Sequence, residues 1–195
     1  MKEDLKESRI ITFIASSPSN HEKNLKYIYG NEEVTGIIEH LKEICNFDKI
    51  NMLDDKNINS DNIINSDVVY LLGGNPNTQL DFILKHGLEE KLNEFEGVLL
   101  CTSCGAMNIA KFGYYSKDED FNESFFYDGI NLTDISIDPH FDINNKEQVD
   151  EALKMSKIHK IYGVPEDSGI KVEEDKIKLI GDIFIFEDGF LKEGN

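Results

Sequence analysis

At 195 residues, the chain fits one domain of ordinary size and can bury a full core without disulfides or metals. Its 38 Asp and Glu against 20 Lys and Arg give a formal net charge of −18, which repels phosphate backbones and anionic lipid headgroups and argues against nucleic acid and membrane as partners. The first residues, "MKEDLKESRIITFIASS", carry a short apolar run behind mixed charge, unlike a signal peptide, and nothing later approaches the ~20 apolar residues of a membrane span. A cytoplasmic protein is expected. Its three cysteines cannot all pair, and a reducing compartment requires none to.

Taken in order, short strand-like runs alternate with stretches of helical period, which predicts an α/β domain, residues 1–195, with a mostly parallel sheet. "IITFIA" at 10–15 is continuously apolar, as a strand buried on both faces must be. Asn31 is placed to cap a helix that starts with Glu32 and Glu33 and aligns Val34, Ile37, Ile38, Leu41 and Ile44 on one face. "KINML" at 49–53 and "DVVYLL" at 67–72 read as the next strands. After the second comes "GGNPN", then a helix marked by Leu80, Ile83, Leu84 and Leu88 that stops near His86-Gly87. "GVLLC" at 97–101 is a strand that runs into small residues and a further helix. The last third, from "IYGVPEDSG" onward, alternates apolar and polar residues around Glu174-Asp175 and Asp188-Gly189, the pattern of an antiparallel meander.

The segment "VLLCTSCGAMN" therefore sits at a strand-to-helix junction, the edge where α/β sheets place their sites. A sharp turn of this kind holds a nucleophile only where the residues two before and two after it are small. Centring the turn on Ser103 gives Cys101 and Gly105 as neighbours; centring it on Cys104 gives the β-branched Thr102 and Ala106. Ser103 is the better nucleophile. It needs a base, for which His21, His40, His86, His140 and His159 are available.

Four segments in order, "YLLGGNPNTQL", "TSCGAM", "DPHFD" and "GDIFIFEDG", resemble the peptidase E family of serine peptidases, which includes aspartyl dipeptidases and, more distantly, cyanophycinases. The resemblance runs from about Ile10 to about Gly189. It implies a three-layer sandwich of the flavodoxin and glutamine-amidotransferase kind, with a C-terminal antiparallel extension. It also implies a catalytic triad of Ser103, His140 and an acidic residue that falls on Asp118, with Glu119 and Asp120 as alternatives. In these roles Ser103 attacks a peptide carbonyl, His140 takes and returns its proton, and the carboxylate fixes the imidazole tautomer. The oxyanion calls for backbone donors, one from Cys104 and one from Gly73 or Gly74. Asn75, in the same turn, is the expected substrate-binding residue. The implied activity is an exopeptidase, dipeptidase-like, acting on short peptides with no cofactor and no metal, and the chain is compatible with a homodimer.

Other readings stand beside this one. Cys101 and Cys104 form C-x-x-C, with Cys104 at a helix start where a thiolate is stabilised, so a thiol redox protein is an alternative. "DPHFD" on a strand would align Asp138, His140 and Asp142 as metal ligands, although Pro139 disrupts a regular strand. The chain could also be an inactive or repurposed family member that only binds. Specificity departs from the family as well: an aspartyl side chain calls for a bidentate arginine, yet the only arginine is Arg9, leaving Lys111, Lys117 or Lys160 as substitutes.

Overall fold

Apolar runs near the amino terminus become neighbouring parallel strands, with those at Ile10–Ile14 and Val68–Leu71 the most buried. The structure, a computed structural model, describes residues 2–118, 121–174 and 176–192. Its contacts separate into two compact units, one ending at Gly105 and the other beginning at Ala106.

The first unit runs α1 (Lys2–Leu5), β1 (Ile10–Ile14), α2 (His21–Tyr29), α3 (Ile37–Lys42), β2 (Lys49–Leu53), α4 (Asp61–Ile64), β3 (Val68–Leu71), α5 (Pro76–Lys85), α6 (Leu88–Asn93) and β4 (Val98–Cys101). The four strands form one parallel sheet in the order β2-β1-β3-β4. On one face Ile11, Phe13, Val68 and Leu72 pack with Ile28 of α2 and Ile38 and Leu41 of α3. The opposite face of β1 carries Thr12, whose buried hydroxyl meets Ser66 Oγ at 2.7 Å and Asn62 O, at the end of α4, at 3.1 Å. Side chains alternate across a strand, so α3 and α4 lie on opposite faces and the unit has three layers.

Asn31 does not start a helix. Its Oδ1 accepts from Glu33 N at 3.1 Å and Val34 N at 2.9 Å, closing a turn in which Gly30 bridges Thr35. The side chain satisfies the donors of that turn locally, as Asn commonly does, and α3 begins only at Ile37. The helix over residues 76–85 stops where the sequence predicts, with His86 as C-cap and Gly87 left-handed at φ 61°, but Leu84 is exposed and Leu88 begins a separate helix, α6.

The chain passes into the second unit through α7 (Cys104–Asn108). There follow β5 (Phe112–Tyr115), β6 (Phe125–Asp128), β7 (Ser136–Pro139), α8 (Lys146–Met155), β8 (Ile161–Val164), β9 (Gly169–Glu173), β10 (Lys176–Ile180), β11 (Phe184–Glu187) and β12 (Phe190–Lys192). β5 and β6 form an antiparallel pair, and so do β9 and β10. The remaining sheet is ordered β12-β11-β8-β7. Within it β11 is antiparallel to both neighbours, but β8 runs parallel to β7 through the crossover helix α8. The predicted meander is instead two separate hairpins, β9–β10 and β11–β12, with β11 also antiparallel to "IYGV" in β8. Tyr114, Phe141, Ala152, Met155, Ile161 and Phe186 form the core of this unit. Gly163 is required there, since a Cβ would stand 2.7 Å from the Phe141 ring. The fold class is α/β, mostly parallel, with antiparallel strands at the carboxyl end.

Candidate active site

Four parallel strands deliver four loops to one edge of the first unit's sheet. β1 leads into Ser16, β2 into Asp54, β3 into Gly73-Gly74, and β4 into Ser103. Ser103 has φ 48°, the left-handed region that costs a non-glycine residue on the order of 1–2 kcal/mol and is concentrated at functional sites. The turn is enforced by its neighbours. A Cβ on Gly105 would lie 2.7 Å from both Cβ and O of Leu71, and one on Gly73 would lie 3.4 Å from Ser103 Cβ. Gly74, at φ 150°, leaves no room for a side chain against Ser16, whose Oγ would be 2.4 Å from an added Cβ. Gly73 holds main chain, rather than side chain, beside Ser103, as a donor to an oxyanion requires.

Asn75 is the N-cap of α5. Its Oδ1 accepts from Thr78 N at 3.1 Å, so one end of the amide expected to bind substrate serves the helix. Cys104 is 1 % exposed and its thiol points to Leu72 O at 3.4 Å and Gln79 Oε1 at 3.7 Å. Burial pushes that thiol up to about 12 and raises the Cys101 thiol as well, helped by the proximity of Cys104. Neither sulfur is a thiolate near neutral pH, and both are free thiols. The helix start that would stabilise a thiolate is outweighed by desolvation.

In the second unit, His140 directly follows β7 and also has positive φ, 58°. Its Nδ1 lies 2.5 Å from Glu166 Oε1. The parallel register aligns Pro139 with Val164, so the residues that leave β7 and β8 at the same end, His140 and Glu166, meet beside each other. Sequence reasoning missed Glu166. Two residues before His140, Asp138 is 2 % exposed and accepts from Gln148 Nε2 at 3.2 Å. Desolvation pushes its carboxyl up to about 7, against the opposing pull of Gln148, Ser116 and His140.

Asp118 lies in the loop after β5. Its Oδ2 accepts from Tyr115 OH at 2.9 Å and its Oδ1 from Phe121 N at 3.0 Å. Glu119 and Asp120, its alternatives, fall outside the described residues. Arg9 precedes β1, where its backbone N–H donates to Asp67 and its side chain nears Asp48 at 4.0 Å. That is the amino-terminal edge of the sheet, opposite Ser103. Lys117 pairs with Glu147 at 2.5 Å, Lys160 pairs with Glu187 at 3.0 Å, and Lys111 covers the Phe112 ring. Among the described residues no three His, Cys, Asp or Glu side chains gather as metal ligands, and no helix is long and apolar enough to cross a membrane.

The sequence profile of Peptidase family S51 matches residues 10–180. None of the curated proteins matches the chain. Among solved structures, the fold resembles a Listeria monocytogenes EGD-e protein described as a candidate peptidase E, with a TM-score of 0.65 and 20% identity over 90% of this chain and 86% of that one. It also resembles a peptidase from an acI-B1 Actinobacterium, with a TM-score of 0.68 and 15% identity over 98% of this chain and 84% of that one.

Proposed function

Because the chain belongs to Peptidase family S51 and is a serine peptidase, we propose that it is a cytoplasmic exopeptidase that cleaves short peptides with a free N-terminus, Ser103 being the nucleophile. The left-handed Ser103 between Gly73 and Gly105 carries this reading: a strained serine at a strand-to-helix turn is what an elbow nucleophile requires. In the proposed mechanism Ser103 Oγ attacks the scissile carbonyl while His140 Nε2 takes its proton and later protonates the leaving amine. Glu166, on Nδ1, fixes the tautomer that leaves Nε2 as acceptor and stabilises the imidazolium. We assign Glu166 the role first expected of Asp118. Backbone N–H groups of Cys104 and of Gly73 or Gly74 receive the oxyanion, each worth ~3 kcal/mol when aligned.

The raised Cys101 and Cys104 thiols speak against the redox alternative. The test is hydrolysis of a panel of Xaa-Leu dipeptides and their N-acetylated forms. Ser103→Ala is expected to lower kcat/KM by three or more orders of magnitude, because triad members act as a unit, while Cys104→Ala retains most of it. Glu166→Gln is expected to cost at least tenfold and Asp118→Asn little. Loss with Cys104→Ala and retention with Ser103→Ala would overturn the reading; equal cleavage of acetylated peptides would remove the exopeptidase claim.

A further inference from the structure

The first unit holds a second histidine–carboxylate pair that the proposed mechanism does not use. His21 Nδ1 lies 2.5 Å from Asp54 Oδ2, the aspartate being 0% exposed and the histidine side chain 20%. Asp54 Oδ1 also accepts from Lys56 N at 3.0 Å and Asn57 N at 3.1 Å. The carboxylate is therefore buried, held by three donors, and directed at the histidine ring. Where Nδ1–H donates to this carboxylate, Nε2 is left as an acceptor with a full negative charge behind it. A lone pair so backed attracts cationic N–H donors and rejects carboxylates.

Its place in the fold gives it a target. Ser103, Gly73-Gly74, Ser16 and Asp54 follow neighbouring strands at one edge, where Ser16 Oγ donates to Gly73 O at 2.5 Å. Asp55 N donates to Pro18 O at 3.1 Å, tying the Asp54 loop to the segment that leads into His21. With strands about 4.8 Å apart, the carboxyl ends of β1 and β2 stand roughly 10–14 Å from that of β4. A lysine in the first position spans this distance. Nucleophile to carbonyl is about 3 Å, the chain from carbonyl carbon to Nζ is roughly 7 Å at ~1.5 Å per bond, and a hydrogen bond adds about 3 Å.

We infer that His21, held by Asp54, is the specificity residue of this peptidase and binds the ammonium group of a lysine side chain at the first position of the substrate. The inference rests on the peptidase reading and replaces the acidic first residue of the family's aspartyl dipeptidases with a basic one. It accords with Arg9 standing at the opposite edge of the sheet and with a net charge of −18.

The experiment compares kcat/KM for Lys-Leu and norleucine-Leu, which differ in the ammonium alone, in the wild type and in His21→Leu. The wild type is expected to prefer Lys-Leu at least tenfold. His21→Leu is expected to bring the ratio near one by slowing Lys-Leu while leaving norleucine-Leu within about twofold. Asp54→Asn, whose amide oxygen still accepts from Lys56 and Asn57, is expected to reduce the ratio as well, and decides the matter where His21→Leu lacks a cooperative melting transition. A wild-type ratio near one, a ratio that survives both substitutions, or a preference for Asp-Leu lost with His21→Leu overturns the assignment and leaves the peptidase standing. No hydrolysis of any peptide by the wild type overturns the peptidase reading and the subsite with it.

Discussion

Asp138 is a carboxyl group whose removal from water outweighs the pull of Gln148, Ser116 and His140, and its protonation is tied to folding. An unfolded aspartate loses its proton near 3.8, whereas this one holds it to about 7. Between those values the native state binds more protons than the unfolded state, so stability falls as pH rises. The contribution of the protonated carboxyl is fully present below pH ~4 and gone above ~7, a loss of about 4 kcal/mol at 1.36 kcal/mol per pH unit. Asp138→Asn cannot ionise and keeps an oxygen for Gln148 Nε2. In urea denaturation the variant is expected to match the wild type near pH 4 and to exceed it by a few kcal/mol at pH 8. Parallel pH profiles for the two proteins would remove the argument. Other single residues were readable from sequence to different degrees. The tight turn at Ser103 was legible because an elbow demands small residues at fixed offsets. Glu166 was not, because it lies 26 residues beyond His140 and reaches it only through the parallel pairing of β7 with β8, which no local pattern records. The one available signal was an acidic residue directly after a buried strand, at Val164-Pro165-Glu166.

At the scale of elements, α5 is held at its N-cap by Asn75, the residue expected to bind substrate. Asn75 takes the N-cap position, with its side chain on Thr78 N and Pro76 next in line, an arrangement worth ~1 kcal/mol. Asn75→Ala is expected to lose about that much in the urea midpoint, while Asn75→Asp keeps the cap. If the amide nitrogen also touches substrate, Asn75→Asp retains stability and loses kcat/KM, which separates the two roles in one pair of measurements. An Asn75→Ala variant as stable as the wild type would show that the cap is not needed. Three of the four parallel strands, β1, β3 and β4, were legible as largely apolar runs of four to six residues, which have few other uses in a chain of this length. α2 was missed. Its sequence, "HEKNLKYIY", buries only Asn24 and Ile28, too few to mark an apolar face, so tertiary packing rather than pattern decides that it is helical.

For the molecule as a whole, the dominant quantity is charge. Several ion pairs join exposed side chains, such as Lys42 with Glu39, Lys146 with Asp150 and Lys154 with Glu151, and pairs of this kind contribute ~0–1 kcal/mol each. They neutralise near neighbours and leave the net −18 to repel itself across the surface. Self-repulsion of this size destabilises the compact state, and the unfolded chain relieves it by spreading the charges apart. Salt shortens the Debye length from about 30 Å at 0.01 M to about 3 Å at 1 M, so it removes the long-range repulsion before it touches pairs in contact. The expected outcome is a melting temperature that rises by several degrees between 10 mM and 0.5 M NaCl at pH 7.5. Choline chloride at equal ionic strength should match sodium chloride, since screening is blind to the cation. A melting temperature that falls with salt would mean that contact pairs outweigh the net field, and a rise confined to sodium would mean ion binding rather than screening. The same field concentrates cationic solutes near the surface, so kcat/KM for a lysine-bearing dipeptide should decline over the same salt range while that for its norleucine analogue changes less.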